Sequence, residues 1–279
     1  MAIVEDSAWW FLKTMGRKYR DKSGRTQKEV GDALPRSIDT IRLWEQGKAD
    51  IAVALADDYG KACGMTDEMA GYMKKVAVAR KMGLSIEADP RFNALFISLA
   101  EEYCGCIFKF DALIIPGPLQ TKRYHYVVMK LAEPTASKER LDQGWAFKLE
   151  RAEGLEERTD RPTIHFVIGE AALIHLRQIS EELYQEQMAH LRKWAKRPGV
   201  SIRILRGPVY AKQSNFEIYQ PGDNELACPE FVYTERIDAS WLIDDSARFA
   251  SYHETRKMLW KRAIRIEVYH DDDRRDRLA

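Results

Sequence analysis

Through the first eighty positions apolar residues recur every three or four places, which predicts helices and no strands there. Phe11, Leu12, Met15 and Tyr19 form one face of a helix over 9–22. Thr26 followed by Glu29 is a capping box and starts a second helix near Gln27. Pro35 ends it, because the residue before a proline is pushed out of helical space. Ser37 is the next good N-cap, and Ile41 and Trp44 give the short helix that follows an inner face. Gly47 supplies its stop. Two more helices are expected over 52–63, closed by Gly64, and over 66–81. The pattern breaks around 83–90 and resumes as a helix over 92–104.

Beyond that point the texture changes. Runs of β-branched and aromatic residues at 107–110, 163–168, 200–205, 216–219 and 231–234 have strand length. Helices are expected between and after them over 137–157, 181–196 and 246–268. No repeat of period 20–50 is evident. The predicted fold class is α+β. An all-α helix-turn-helix domain at 1–83 and a linker at 84–91 precede a larger α+β domain at 92–268 with a mixed or antiparallel sheet. A charged, solvated tail at 269–279 follows. A chain of 279 residues has room for two such domains without disulfide or metal staples.

Composition is that of an ordinary globular protein, with 45% hydrophobic and 31% charged residues. The formal net charge of +1 argues against a protein that coats nucleic acid or a membrane with its whole surface. The distribution of charge changes this picture. From position 9 to 48 there are ten Lys or Arg against five acids, a local +5 that leaves −4 for the rest. No apolar run approaches membrane-spanning length, and acids stand where a signal peptide carries bases, so a cytoplasmic protein without membrane contact is expected. Cys63, Cys104, Cys106 and Cys228 form no C-x-x-C pair and read as buried free thiols of a reducing compartment.

Two short helices joined by a three-to-four-residue turn in a helical domain are the helix-turn-helix arrangement. The stretch from Gly24 to Gly47 resembles the lambda-repressor-like (Xre) family in Thr26-Gln27, in Gly31, and in Thr40-Ile41 followed by Trp44-Glu45 and Gly47. It departs from the family at Arg25, usually apolar, and at Pro35-Arg36, usually glycine and an apolar residue. The resemblance implies binding to double-stranded DNA, most often as a homodimer on palindromic half-sites. Gln27, at a helix N-terminus, can bond a phosphate, and Lys28, Arg36 and Lys48 can neutralise others. Ser37, Ile38, Asp39 and Arg42 lie at the leading end of the second helix. Arg42 suits guanine, Ile38 a thymine methyl and Asp39 a cytosine amine. Asp39 is equally well read as a first-turn acid, and Ile38 as core. Trp9-Trp10-Phe11 reads as core or domain interface rather than as a base-stacking platform.

From about Phe92 onward the chain resembles the large domain of unknown function that follows this motif in many actinobacterial regulators. The carrying residues are Leu113-Ile114-Ile115-Pro116-Gly117-Pro118-Leu119-Gln120-Thr121 with Tyr124, then Glu170-Ala171-Ala172-Leu173, 200–205, Phe216, and Val232-Tyr233 with Glu235. Arg151-Ala152 departs from an Arg-Gln pair common in that family. The resemblance implies a transcriptional regulator, often classed as antitoxin-like, whose gene neighbours one for a small partner protein. Pro116, Gly117, Gln120, Tyr124 and Glu170 are its candidate ligand or partner residues; the Pro-Gly-Pro turn is either structural or a pocket wall. His165 and His175 flank Glu170 without metal-ligand spacing, and there is no nucleophile elbow, P-loop or dinucleotide fingerprint. No metal, cofactor or catalytic residue is therefore expected. Two other readings stay open: an enzyme acting on a nucleotide or small metabolite, with the helix-turn-helix as targeting device, and an interaction module that has lost DNA binding.

Overall fold

The computed structural model describes residues 6–88, 90–207, 215–224, 226–236 and 239–270. Five helices come first: α1 (Ser7–Lys22), α2 (Gln27–Ala33), α3 (Ile38–Glu45), α4 (Ala56–Ala62) and α5 (Asp67–Met82). Then follow β1 (Ile86–Ala88), α6 (Pro90–Tyr103), β2 (Cys106–Asp111), α7 (Lys122–Ala132), α8 (Lys138–Glu157), β3 (Thr163–Gly169) and α9 (Glu170–Ile179). The last elements are α10 (Glu181–Ala195), β4 (Val200–Leu205), β5 (Phe216–Gln220), β6 (Phe231–Glu235), β7 (Ser240–Ile243), α11 (Ser246–Arg262) and β8 (Ile264–Arg265). The fold class is α+β with a mixed sheet.

Two compact units divide the chain: Met1–Cys104 with Tyr219–Arg248, and Gly105–Ile218 with Phe249–Ala279. The first is built from two separate stretches. Phe11 stacks on Phe96 of α6 with centroids 4.7 Å apart, Phe96 meets Phe231 of β6 edge-on at 5.1 Å, and Phe231 stacks on Tyr219 at 4.8 Å. Trp10 donates its indole N–H to the Leu226 carbonyl at 2.8 Å. Asn93, fully buried, donates to both the carbonyl and the hydroxyl of Ser240 and accepts from Tyr72. The Trp9-Trp10-Phe11 run is therefore core, with all three side chains buried. Here β7 lies between β1 and β6, antiparallel to both, with Ile86 opposite Leu242 and Tyr233 opposite the same residue.

In the second unit β2, β3 and β4 run parallel, with Phe108 opposite His165 and His165 opposite Ser201. Parallel neighbours need long crossovers, and α7–α8 and α9–α10 supply them. The buried run Ile164, Phe166, Val167 and Ile168 is what a strand covered on both faces requires. Gly169 ends β3 because a Cβ there would stand 2.1 Å from the Ala112 carbonyl oxygen.

The helix expected over 246–268 stops at Arg262. Ile264, Ile266 and Val268 are β-branched and alternate, so the chain turns into β8, antiparallel to β4, and a 3-10 turn at Ile266–Val268. Residues 52–63 divide into a 3-10 turn at Val53–Leu55 and α4. Of the expected tail, positions 271–279 lie outside the described residues.

Candidate nucleic-acid interface

Local chemistry sets α2 and α3. Thr26 accepts from the Glu29 amide, and the Glu29 carboxylate accepts from the Thr26 amide at 2.7 Å. These Thr26 donors hold the Glu29 carboxyl below its usual range. Arg25, in a position usually apolar in the resembling family, donates to the carbonyls of Lys61 and Ala62 and so caps the end of α4. Gly31 allows the chain to double back: the Arg36 amide donates to its carbonyl at 2.8 Å, and a Cβ would stand 2.7 Å from the Arg36 carbonyl oxygen. Pro35 sits at φ 31°, a left-handed position that suits glycine and strains a pyrrolidine ring. Ser37 caps α3 by accepting from the Thr40 amide at 3.2 Å. Gly47, at φ 67°, closes α3, with the Lys48 amide donating to the Leu43 carbonyl.

α3 is thereby two-faced. Ile41 and Trp44 are buried, the latter edge-on to Tyr59 at 5.2 Å. Ile38, Asp39, Arg42 and Leu43 are exposed, and so are Arg36 and Ser37 before them, Lys48 after them and Lys28 on α2. Ile38, open to either reading in the sequence, is 41% exposed and not core.

The charges are arranged in two layers. Glu45 is buried and takes Arg20 in a fork, at 2.5 Å to Nε and 2.9 Å to Nη2, which holds the guanidinium more firmly protonated than usual. Gln27 donates its amide to the same carboxylate at 2.8 Å, so its side chain is tied to the interior of the motif. The outer layer is different. Arg42 pairs with Asp39 at 2.8 Å and Lys28 with Asp32 at 2.9 Å, all four exposed. Such surface pairs are worth about 0–1 kcal/mol and are readily exchanged for a phosphate or a base edge. A cleft of about 500 Å3 is lined by Lys13, Arg17, Lys18 and Lys48 together with the acids Asp21 and Glu45.

The second group of candidates lies in the second unit. Pro116 and Gly117 open a 3-10 turn, Gly117–Leu119. Gln120 donates to the Ile115 carbonyl at 2.7 Å, and the Ile115 amide donates to the Tyr124 hydroxyl at 2.9 Å. Burial pushes the Tyr124 phenol up to about 12. Gln187 of α10 donates to the Leu119 carbonyl and accepts from the Thr121 amide. Lys148 of α8 donates to Gln120 at 2.7 Å and lies 3.0 Å from His125 Nδ1. The turn is thus held by the buried side chains of Gln120, Tyr124 and Gln187 and by half-buried Lys148. Gln187, Lys148 and His125 carry no local signal in the sequence. Glu170 stands with other partners, in an ion pair with Arg206 at 3.2 Å and accepting from the Tyr269 hydroxyl at 3.3 Å.

A further cluster lies on β3, β4 and α11 of the same unit. His165 stacks on Trp260 at 4.0 Å, Arg203 lies over the same ring at 4.0 Å, and Arg203 donates to the Trp260 carbonyl. Burial, with Arg256 and Arg203 nearby, pushes the His165 imidazole down to about 4. The folded chain keeps it neutral, whereas the unfolded imidazole titrates near about 6.5. Between those values the unfolded state binds the extra proton, so stability falls as pH is lowered through this window. His165→Phe is expected to flatten the fall, measured as urea midpoints at about pH 7.5 and about pH 5. An equal fall in both proteins would remove His165 as its source. Burial also lowers His125 and His190, so part of the slope persists.

Among the described residues no group of three or more His, Cys, Asp and Glu is placed to hold a metal ion, and no helix is long and apolar enough to cross a membrane. No curated protein and no solved structure matches the chain. A family model does match, over residues 97–267, and its description is a domain of unknown function, DUF5753. The match covers more than half of the 279 residues, and the chain belongs to that family.

Proposed function

We propose that the chain is a sequence-specific, DNA-binding transcriptional regulator in which α3 enters the major groove. The observation that carries this reading is the division of α3 into an inner face, Ile41 and Trp44, and an outer face where Ile38, Asp39 and Arg42 stand exposed after Arg36 and Ser37. Lys28 and Lys48 are exposed as well and would take phosphates. Gln27 acts from within, holding Glu45 and leaving its helix-terminal backbone for the phosphate. The regulator is cytoplasmic and homodimeric, since one small module offers few phosphate contacts and a second copy raises avidity. Its second unit receives a ligand or a small partner protein, in the antitoxin-like manner that the resemblance implies.

The test is selection of DNA sequences from a random pool by the purified full chain. An enriched motif is expected; equal binding of selected and random pools ends the reading. Arg42→Ala is expected to cost about 1–3 kcal/mol of discrimination while sparing non-specific binding, measured by anisotropy on the selected site and a scrambled one. Unchanged discrimination would remove Arg42 from base reading. The Asp39–Arg42 pair favours a second reading, an interaction surface without DNA affinity, because it places a carboxylate where phosphates would pass. A gel shift of the full chain on the selected pool separates the two.

A further inference from the structure

Two cysteines far apart in sequence meet inside the first unit. Cys104 follows α6 and Cys228 lies between β5 and β6, yet their sulfurs are 3.1 Å apart. Both are fully buried and neither is in a disulfide. Their separation in sequence, 124 residues, makes this a tertiary arrangement and not a local motif. A disulfide needs the sulfurs at about 2.0 Å, a closure of roughly 1 Å. The other two thiols are placed differently: Cys63 is buried behind α4, and Cys106 opens β2 in the second unit at intermediate exposure.

We propose that Cys104 and Cys228 are a redox modification site, which a peroxide converts to an intramolecular disulfide and a dithiol reductant restores. One sulfur attacks the O–O bond of the peroxide as thiolate, and a water leaves as that sulfur becomes a sulfenic acid. The second thiol attacks this sulfur. The S–S bond forms, the S–O bond breaks, and the second water carries away the remaining proton. Two thiols and one hydrogen peroxide give one disulfide and two waters. The sulfurs are oxidised and the peroxide oxygens reduced.

Burial pushes the Cys228 thiol well above its usual range, which slows the first step. Access is short, however. Cys228 lies outside regular structure and two residues beyond Leu226, which is 55% exposed, and the proposed route for peroxide is local opening of this stretch. The nearness of the second thiol then directs the sulfenic acid to a disulfide before further oxidation. The product ties the two stretches of the first unit covalently, beside the Leu226 carbonyl that receives Trp10 of α1.

The experiment treats the full chain with hydrogen peroxide, then denatures and alkylates it. Alkylation is expected to fall from four thiols to two, with a mass loss of two hydrogens, and peptide mapping is expected to join Cys104 to Cys228. Dithiothreitol should restore all four thiols. The thermal midpoint of the oxidised protein should rise, and Cys228→Ser should abolish both the rise and the cross-link. Mapping on the unmodified sequence stands even where that variant fails to fold. Four alkylatable thiols after treatment, a cross-link through Cys63 or Cys106, or a sulfinic acid in place of the disulfide would each overturn the proposal.

Discussion

Glu45→Ala is expected to lower the stability of the first unit by about 3 kcal/mol, the low end of the cost of removing one partner of a buried ion pair, because Arg20 keeps Asp21 at 2.8 Å. The Glu45 side chain is 4% exposed and that of Arg20 12%, so water cannot replace what is lost. The damage does not stop at one pair. Arg20 belongs to α1, Gln27 to α2 and Glu45 to α3, so one carboxylate fastens three helices. Amide hydrogen exchange across a urea series is the measurement. Protection should collapse in α2 and α3 while β2, β3 and β4 keep theirs. Glu45→Gln keeps the shape and one acceptor oxygen, and its loss should be smaller. If Glu45→Ala leaves exchange in α2 unchanged, the carboxylate is not what holds Gln27 and the outer face in place.

Lys109→Met is the second large effect, about 3–5 kcal/mol, and it falls on the other unit. Lys109 lies in β2 with no exposed surface and donates to Glu217 of β5 at 2.6 Å. Methionine nearly fills the space of the lysine stem, so the cost lies in the Glu217 carboxylate, only 16% exposed and deprived of this cation. Adding Glu217→Leu should recover most of the loss, since an apolar pair of similar volume often serves as well as a buried ion pair. Urea unfolding of the single and double variants checks this. A double variant as weak as Lys109→Met would show that the lysine acts through packing and not through its charge.

Elements set by neighbours in sequence were legible without coordinates. The Thr26–Glu29 box, the Ser37 cap and Gly47 are signals three or four residues long, and α2 and α3 begin and end where they say. Strands of five residues or more announced themselves through β-branched runs. β1, β7 and β8, at two to four residues, are too short for any period to register, and they exist because partners pair with them. The site divides in the same way. That Arg42 faces outward follows from Ile41 and Trp44 facing in, whereas Ile38, three residues before Ile41, could have joined them and is exposed only in the fold. That Gln27 is engaged by Glu45 does not follow, because it depends on a carboxylate eighteen residues away that is also answering Arg20. The knitting of Gln120 by Lys148 and of Leu119 by Gln187 is distant for the same reason.

The discontinuity of the first unit has a consequence for synthesis. Its N-terminal helices leave the ribosome early, yet Phe231, Ser240 and the Leu226 carbonyl, which complete their core, lie beyond position 218. At roughly 5–20 residues per second, the intervening stretch takes on the order of ten seconds to translate. Trp10, Phe11 and Phe96 spend that interval without their late partners. A nascent chain stalled before Tyr219 therefore carries an unfinished apolar face, and chaperone demand should peak there and fall once Arg248 has emerged.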